Sequence, residues 1–215
     1  MSDKIFDGMT LLMTGASGGF GKSATRMFAE RGANLVLSDV NEQGLADHAE
    51  ALKADGYKVA TIVGTVADES HCKETVALAM DTFGRLDIAI NNAGMSHEQG
   101  KIHEIDSDQA QDTIQINLMG VFYGMKYQIK VMEAAHTEHN RTGVILNVAS
   151  LAGLGGAPTI GMYAAAKHGV VGLTKTTALE TAEEPITCNA ICPGYVLTPI
   201  VEKQIPDTMK EYNMS

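Results

Sequence analysis

The chain has 215 residues, 45% of them apolar and 20% charged, with a formal net charge of −10 at pH 7. That length holds one large domain with a substantial core. The acidic balance argues against nucleic acid and anionic membranes as partners, since both need a basic face, and apolar runs such as residues 144–146 are too short to span a bilayer.

Residues 1–7 lack the basic-then-apolar build of a secretion signal, so a cytoplasmic protein is expected. Residues 10–13 read as a strand, followed by a Gly-rich turn and a helix that ends at Gly32. A second strand spans 34–38, and the next helix carries Leu45, Ala49 and Leu52 on one face. Residues 58–63 form a third strand, and Asp68 or Ser70 caps a helix running to Phe83. The fourth strand is 86–90, a long helical stretch covers 108–135, and the fifth strand is 143–148. A helix over 162–182 and a sixth strand over 186–191 complete the pattern. Such alternation predicts a doubly wound α/β fold, a parallel sheet of about six strands covered on both faces. With no internal repeat or linker, residues 1–215 read as a single domain.

The three cysteines are an odd set without metal-ligand spacing, read as buried reduced thiols. The Asn140-Arg141-Thr142 sequon is expected to stay unmodified. His97, His103, His136 and His139 stand in polar contexts and read as surface residues, and no metal is expected.

The first turn, Thr14-Gly-Ala-Ser-Gly-Gly-Phe-Gly21, suits a backbone that bends tightly and approaches a pyrophosphate at a helix N-terminus. It lacks strict G-x-G-x-x-G spacing. It also comes within one residue of a P-loop, because Gly21-Lys22-Ser23 follows Ala16 where that motif has Gly. Asp39, 18 residues after Gly21, closes the second strand where a dinucleotide fold places a carboxylate on the adenosine ribose hydroxyls. In a P-loop it would hold magnesium, and in neither case it would simply start a turn. As a ribose ligand it repels a 2′-phosphate, with no cation at Val40 or Asn41 to offset it, so NAD is expected over NADP.

Tyr163 and Lys167 are four apart in a helical run and share one face. A lysine ammonium beside a tyrosine favours the phenolate, and a shift of about 2 units represents roughly 3 kcal/mol. Such a tyrosine can exchange a proton with a substrate hydroxyl. Ser150, thirteen residues earlier, follows the fifth strand, at the strand ends that form the ligand crevice of an open α/β sheet.

With these pieces in order, the chain resembles the short-chain dehydrogenase/reductase family over residues 7–198. Thr14-Gly15-x-x-x-Gly19-x-Gly21 resembles its cofactor turn, Asn91-Asn-Ala-Gly94 its fourth-strand motif, and Pro193-Gly-Tyr-Val-Leu-Thr198 its segment beside the nicotinamide. The resemblance implies Asn117, Ser150, Tyr163 and Lys167 as the catalytic set. Tyr163 would be the acid/base, Lys167 its tuner and a ribose ligand, Ser150 the substrate orienter, and Asn117 the holder of a relay water. It implies NAD contacts at Gly15, Ser17, Gly19, Phe20, Gly21, Asp39, Val66, Asn91, Gly94, Tyr163, Lys167, Pro193, Gly194, Val196 and Thr198. Substrate contacts would fall at Ser150, Ala152, Tyr163, Tyr195 and Gln204, with residues 199–215 opening a substrate lid and the family's last strand absent. The sixth strand would then stand as an unprotected edge. A homodimer or homotetramer is implied as well.

The pattern departs from the family at Thr65-Val66, where an Asp usually precedes the apolar residue, and at Phe20, usually a smaller aliphatic. The carboxy-terminal half resembles 3-hydroxybutyrate dehydrogenases, yet Ala152, Ile160 and Ser96 replace their polar substrate ligands. A less polar secondary alcohol, facing Met95, Ala152, Leu154 and Tyr195, is therefore expected. The expected function is NAD-dependent interconversion of a secondary alcohol and a ketone. The alternative is a truncated, non-catalytic NAD-binding or interaction protein.

Overall fold

Strand and helix alternate through the computed structural model, which describes residues 4–139 and 141–194. The elements are β1 (Thr10–Thr14), α1 (Gly19–Glu30), β2 (Asn34–Asp39), α2 (Glu42–Ala54), β3 (Val59–Val63), α3 (Glu69–Phe83) and β4 (Ile88–Asn91). They continue with α4 (Ser107–Ile114), α5 (Gly120–His139), β5 (Gly143–Val148), α6 (Gly161–Glu180) and β6 (Ile186–Ile191). A π-helical turn, Gln115–Met119, joins α4 to α5, and a 3-10 turn, Leu151–Gly153, follows β5. The strands form one parallel sheet in the order β3-β2-β1-β4-β5-β6. No helix among the described residues is long and apolar enough to cross a membrane.

Side chains alternate between sheet faces, so a strand covered on both sides must be apolar throughout. On one face Leu12 and Val36 pack with Val76 of α3, Met125 of α5 and Val170 of α6. On the other, Leu11, Met13, Leu35 and Leu37 meet Ala29 of α1 and Leu45 and Leu52 of α2. Burying each such leucine stabilises the fold by roughly 2 kcal/mol. The starts of α2, α3 and α4 are fixed by acceptors on the preceding residue. Asn41 Oδ1 accepts the Gly44 N–H at 3.0 Å, Asp68 Oδ1 that of Ser70 at 2.8 Å, and Asp106 Oδ1 those of Asp108 and Gln109.

Three sequence expectations change. The helical stretch over 108–135 is interrupted by the π turn, so it forms two helices. The fourth strand begins at Ile88; Asp87 before it still bonds both neighbours through its backbone, its N–H donating to Thr10 O at 3.1 Å and its carbonyl accepting the Val144 N–H at 2.8 Å, while its carboxylate receives the Thr10 N–H at 2.8 Å and a bidentate Arg85. Among the described residues the sheet is not covered on both faces throughout. In β5 and β6 burial alternates, with Gly143, Ile145 and Cys188 buried while Val144, Thr187 and Asn189 are exposed. Among the described residues β6 is also a sheet edge.

Candidate active site

The strand order reverses between β1 and β4, and a cavity of about 510 Å³ opens there at the strands' carboxyl ends. That volume is typical of a small-molecule site. Its wall runs from the first turn and Asp39 at one end to Ser150, Tyr163 and Lys167 at the other.

The first turn exists because two of its glycines leave space that a side chain would fill. Gly15 has φ +64°, and a Cβ there would lie 2.8 Å from Asn92 Nδ2 and 2.9 Å from Ala93 Cα. A Cβ on Gly21 would enter the Gly15 carbonyl and Ala16. Asn92 pins the turn to β4. Its Nδ2 donates to the Thr14 and Gly15 carbonyls at 3.0 Å each, while the Thr14 hydroxyl accepts the Asn92 and Ala93 N–H groups. Gly18, ahead of α1, offers no side-chain cap, so the α1 N-terminus faces the cavity uncapped through Gly19, Phe20 and Gly21. Uncapped amides and a helix dipole suit a phosphate. Lys22 is exposed.

Asp39 lines the wall at the end of β2. Its Oδ2 accepts the Ser17 N–H at 2.8 Å and its Oδ1 the Asn41 N–H at 3.0 Å. These bonds tie the carboxylate to the turn and leave further lone pairs free. Gly64, Thr65 and Val66 continue this end of the wall.

At the other end, Tyr163 and Lys167 stand one turn apart on α6. The Lys167 ammonium donates to the Val148 carbonyl at 2.8 Å and lies 5.6 Å from the Tyr163 ring centroid. Burial drives this lysine, 3% exposed, down to about 8. Burial also pushes the Tyr163 phenol above its ordinary value, opposed by its hydrogen bond with Ser150. Ser150 adopts an extended backbone after β5, and its Oγ accepts the Ala152 N–H at 3.2 Å. The following 3-10 turn packs so closely on α6 that a Cβ on Gly153 would lie 2.7 Å from the Lys167 carbonyl.

Asn117 is fully buried in the π turn, a geometry frequent at functional sites. Its Nδ2 donates to Met95 O at 2.8 Å and Thr113 O at 2.9 Å, and its Oδ1 accepts the Met95 N–H at 3.2 Å. Both amide protons are thus committed to backbone. A Cβ on Gly94 would sit 2.6 Å from that Oδ1.

Most residues singled out from the sequence therefore converge. Gly15, Ser17, Gly19, Phe20, Gly21, Asp39, Val66, Gly94, Asn117, Ser150, Tyr163, Lys167, Pro193 and Gly194 share the cavity wall. Asn91 does not line it. Its side chain turns into a buried network, donating to Gln128 Oε1 at 3.1 Å and Asn147 Oδ1 at 2.8 Å. Ala152 lies off the wall. Tyr195, Val196, Thr198 and Gln204, with the 199–215 stretch and Asn140, fall outside the described residues. Sequence reasoning did not assign roles to Asn92, Ala93 or Ile116, which line the cavity. The Asn-Asn-Ala-Gly motif contained the signal for the first two, but not which asparagine turns inward. His97 is a further correction: it is 5% exposed, and its Nδ1 bonds the Glu98 carbonyl at 2.6 Å. His136 and His139 sit in the last turn of α5. Among the described residues no three His, Cys, Asp or Glu side chains group for a metal.

Comparison with known proteins bears on this geometry. A family model described as short chain dehydrogenase matches residues 9–208. Cyclohexanol dehydrogenase of Acinetobacter sp. strain SE19 is 39% identical over 201 residues, covering 94% of this chain and 78% of that protein. D-beta-hydroxybutyrate dehydrogenase of Rhizobium meliloti strain 1021 is 40% identical over 203 residues, covering 92% and 75%. The structure of a short chain dehydrogenase/reductase from Burkholderia phymatum in complex with NAD superposes with a TM-score of 0.87 at 31% identity, covering 93% and 70%.

Proposed function

This chain belongs to the short-chain dehydrogenase/reductase family, and from that premise we propose that it is a NAD-linked oxidoreductase interconverting a secondary alcohol and a ketone. The observation that carries the reading is the meeting of Ser150, Tyr163, Lys167 and the first Gly-rich turn in one cavity. The residues present fit a dinucleotide. Gly15 and Gly21 leave a cradle that a Cβ would close, the uncapped α1 N-terminus suits a pyrophosphate, and Asp39 suits ribose hydroxyls. Asp39 carries the preference for NAD, since a 2′-phosphate beside it would meet like charge with Val40 and Asn41 as neighbours. When bound, the nicotinamide supplies the hydride acceptor for alcohol oxidation and the donor for ketone reduction.

The chain's own residues manage the proton and the substrate oxygen. The Ser150 hydroxyl donates to that oxygen and holds it against Tyr163. Tyr163 takes the hydroxyl proton during oxidation and returns it during reduction. Burial alone would keep the phenol protonated at neutral pH, so it needs a nearby cation. Lys167 provides one: a unit charge 5.6 Å from the ring is worth about 3 kcal/mol to the phenolate at an effective dielectric constant of about 20. The Val148 carbonyl keeps the ammonium in place. Asn117 positions this end of the cavity by clasping the Met95 peptide unit.

The test is Tyr163→Phe on the full chain. We expect turnover of secondary alcohols to fall by at least about 100-fold, the scale of general acid–base catalysis, while NADH affinity by calorimetry stays within a few-fold. An active wild type unaffected by the substitution would remove Tyr163 from the mechanism. A wild type that binds NADH without turning over any alcohol or ketone would mark a binding protein instead.

A further inference from the structure

The cavity's reacting end has a wall whose polar groups are already committed. Asn117 spends both amide protons on the carbonyls of Met95 and Thr113. Lys167 is the only cation among the described residues lining the cavity, and its ammonium is held on the Val148 carbonyl beside Tyr163. Ser150 and Tyr163 serve the reacting oxygen. What remains near them is apolar: Met95, Ile116, Val148, Ala149 and Pro193.

Met95 is held more firmly than a loop residue usually is. Asn117 bonds both its N–H and its carbonyl, and Gly94 before it has no room for a Cβ. The loop beyond is clasped to the segment preceding α6. The Gly100 N–H donates to Thr159 O at 2.9 Å, and the Thr159 hydroxyl donates to Gln99 Oε1 at 3.2 Å. The Glu98 N–H is taken by Gln109 Oε1 at 2.9 Å. Thr159 has φ +68°, a conformation costly for a β-branched residue and kept only where surrounding bonds impose it. The wall that carries Met95 is therefore built to stay in place.

Resting on the oxidoreductase reading above, we propose that Met95 sets the substrate class: the group beside the reacting carbon is uncharged and apolar, and it packs against the Met95 thioether. Among the described residues a carboxylate there would lose its water without gaining a cation or a free amide proton, and burial of an uncompensated charge is strongly unfavourable. A thioether is flexible and polarizable and moulds itself to apolar groups.

The experiment compares NADH-driven reduction of cyclohexanone and acetoacetate by the full chain and by Met95→Ala, Met95→Leu and Met95→Arg. Wild type should favour cyclohexanone by at least about 100-fold in kcat/KM, as expected where a polar group goes unpaired. Met95→Ala should lower cyclohexanone kcat/KM about tenfold through KM, the scale of one or two lost methylene contacts, with kcat and NADH affinity little changed. Met95→Leu, which keeps the apolar volume, should restore the preference, and Met95→Arg should narrow it at least tenfold. Calorimetric binding of cyclohexanol to the NADH-saturated protein, a pair that cannot react, should follow the same order. Faster reduction of acetoacetate by wild type, or an unchanged substrate ratio in both Met95→Ala and Met95→Arg, overturns the proposal while leaving the oxidoreductase reading intact. Failure to reduce cyclohexanone despite NADH binding overturns this proposal as well, while the parent reading falls only if no alcohol or ketone is turned over.

Discussion

Replacing Lys167 by Met should stabilise the folded protein at neutral pH relative to the same pair at high pH, while abolishing turnover. Burial lowers this lysine from 10.5 to about 8, so the folded state releases its proton before the unfolded chain does. Between those values the unfolded state binds more protons, and stability rises with pH across the window from about 8 to 10.5. Below pH 8 the penalty of burying the ammonium is present in full, and 2.5 units correspond to roughly 3 kcal/mol. Methionine removes that penalty but leaves the Val148 carbonyl without its 2.8 Å partner, a loss of about 1–3 kcal/mol. The variant should therefore match or exceed wild type by up to about 2 kcal/mol at pH 7, which is 4–8 °C in melting temperature at about 2–4 °C per kcal/mol for a chain of this size. By pH 10.5 it should be the less stable of the two. The buried thiols Cys72 and Cys188, pushed by burial up to about 12 and about 11, also bend the alkaline curve. They do so equally in both proteins, so the wild-type-minus-variant difference isolates Lys167 together with Tyr163, the phenol its ammonium faces. The assay is urea unfolding of both proteins at pH 7, 8, 9 and 10. A difference that stays constant across that range refutes the argument, because it would mean that Lys167 has the same proton affinity folded and unfolded.

The first turn makes a matched comparison. Gly15 and Gly84 have nearly the same left-handed φ, +64° and +68°, but a Cβ on Gly84 meets nothing within 4 Å. Gly84→Ala should cost only the left-handed conformation, about 1–2 kcal/mol, and leave NADH affinity intact. Gly15→Ala should add the displacement of Asn92 from two carbonyls, roughly 2 kcal/mol more, and abolish NADH binding; equal melting temperatures for the two variants would contradict the contact assigned to Asn92. Asp39→Asn should weaken NADH binding about tenfold and narrow the NADH-to-NADPH affinity ratio, measured by calorimetry, while an unchanged ratio would detach cofactor choice from this carboxylate.

Where the sequence was legible, a single physical constraint wrote a single local pattern. Strands buried on both faces must be apolar throughout, so the positions of β1 and β2 were readable from Leu11–Met13 and Leu35–Leu37. A helix brings residues four apart together, so Tyr163 and Lys167 could be placed on one face before any coordinate was known. A cap at Asp68 or Ser70 was readable from residue type, and the structure makes it Asp68, whose acceptor reaches the amide two residues on. Failures arose where the deciding partner is remote in sequence. Asn91 and Asn92 are chemically identical neighbours. Strand alternation sends one toward Gln128 and Asn147 and the other toward Thr14 and Gly15, 78 and 77 residues distant. No local pattern specifies which face of β4 looks into the cavity. The interruption at Gln115–Met119 is of the same kind. Its residues have ordinary helical propensity, and the turn is held by Asn117 reaching Met95, 22 residues back. The half-covered face of β5 and β6 has yet another origin. Val144 looks as core-like in sequence as Val36, and only the absence of a helix over it among the described residues leaves it 39% exposed. Local pattern thus placed Tyr163 and Lys167 together on one helix. The contacts that shape the rest of the cavity wall, Asn92 on the first turn and Asn117 on Met95, depend on the sheet's third dimension, and for that reason substitutions at these two asparagines test the fold and the site together.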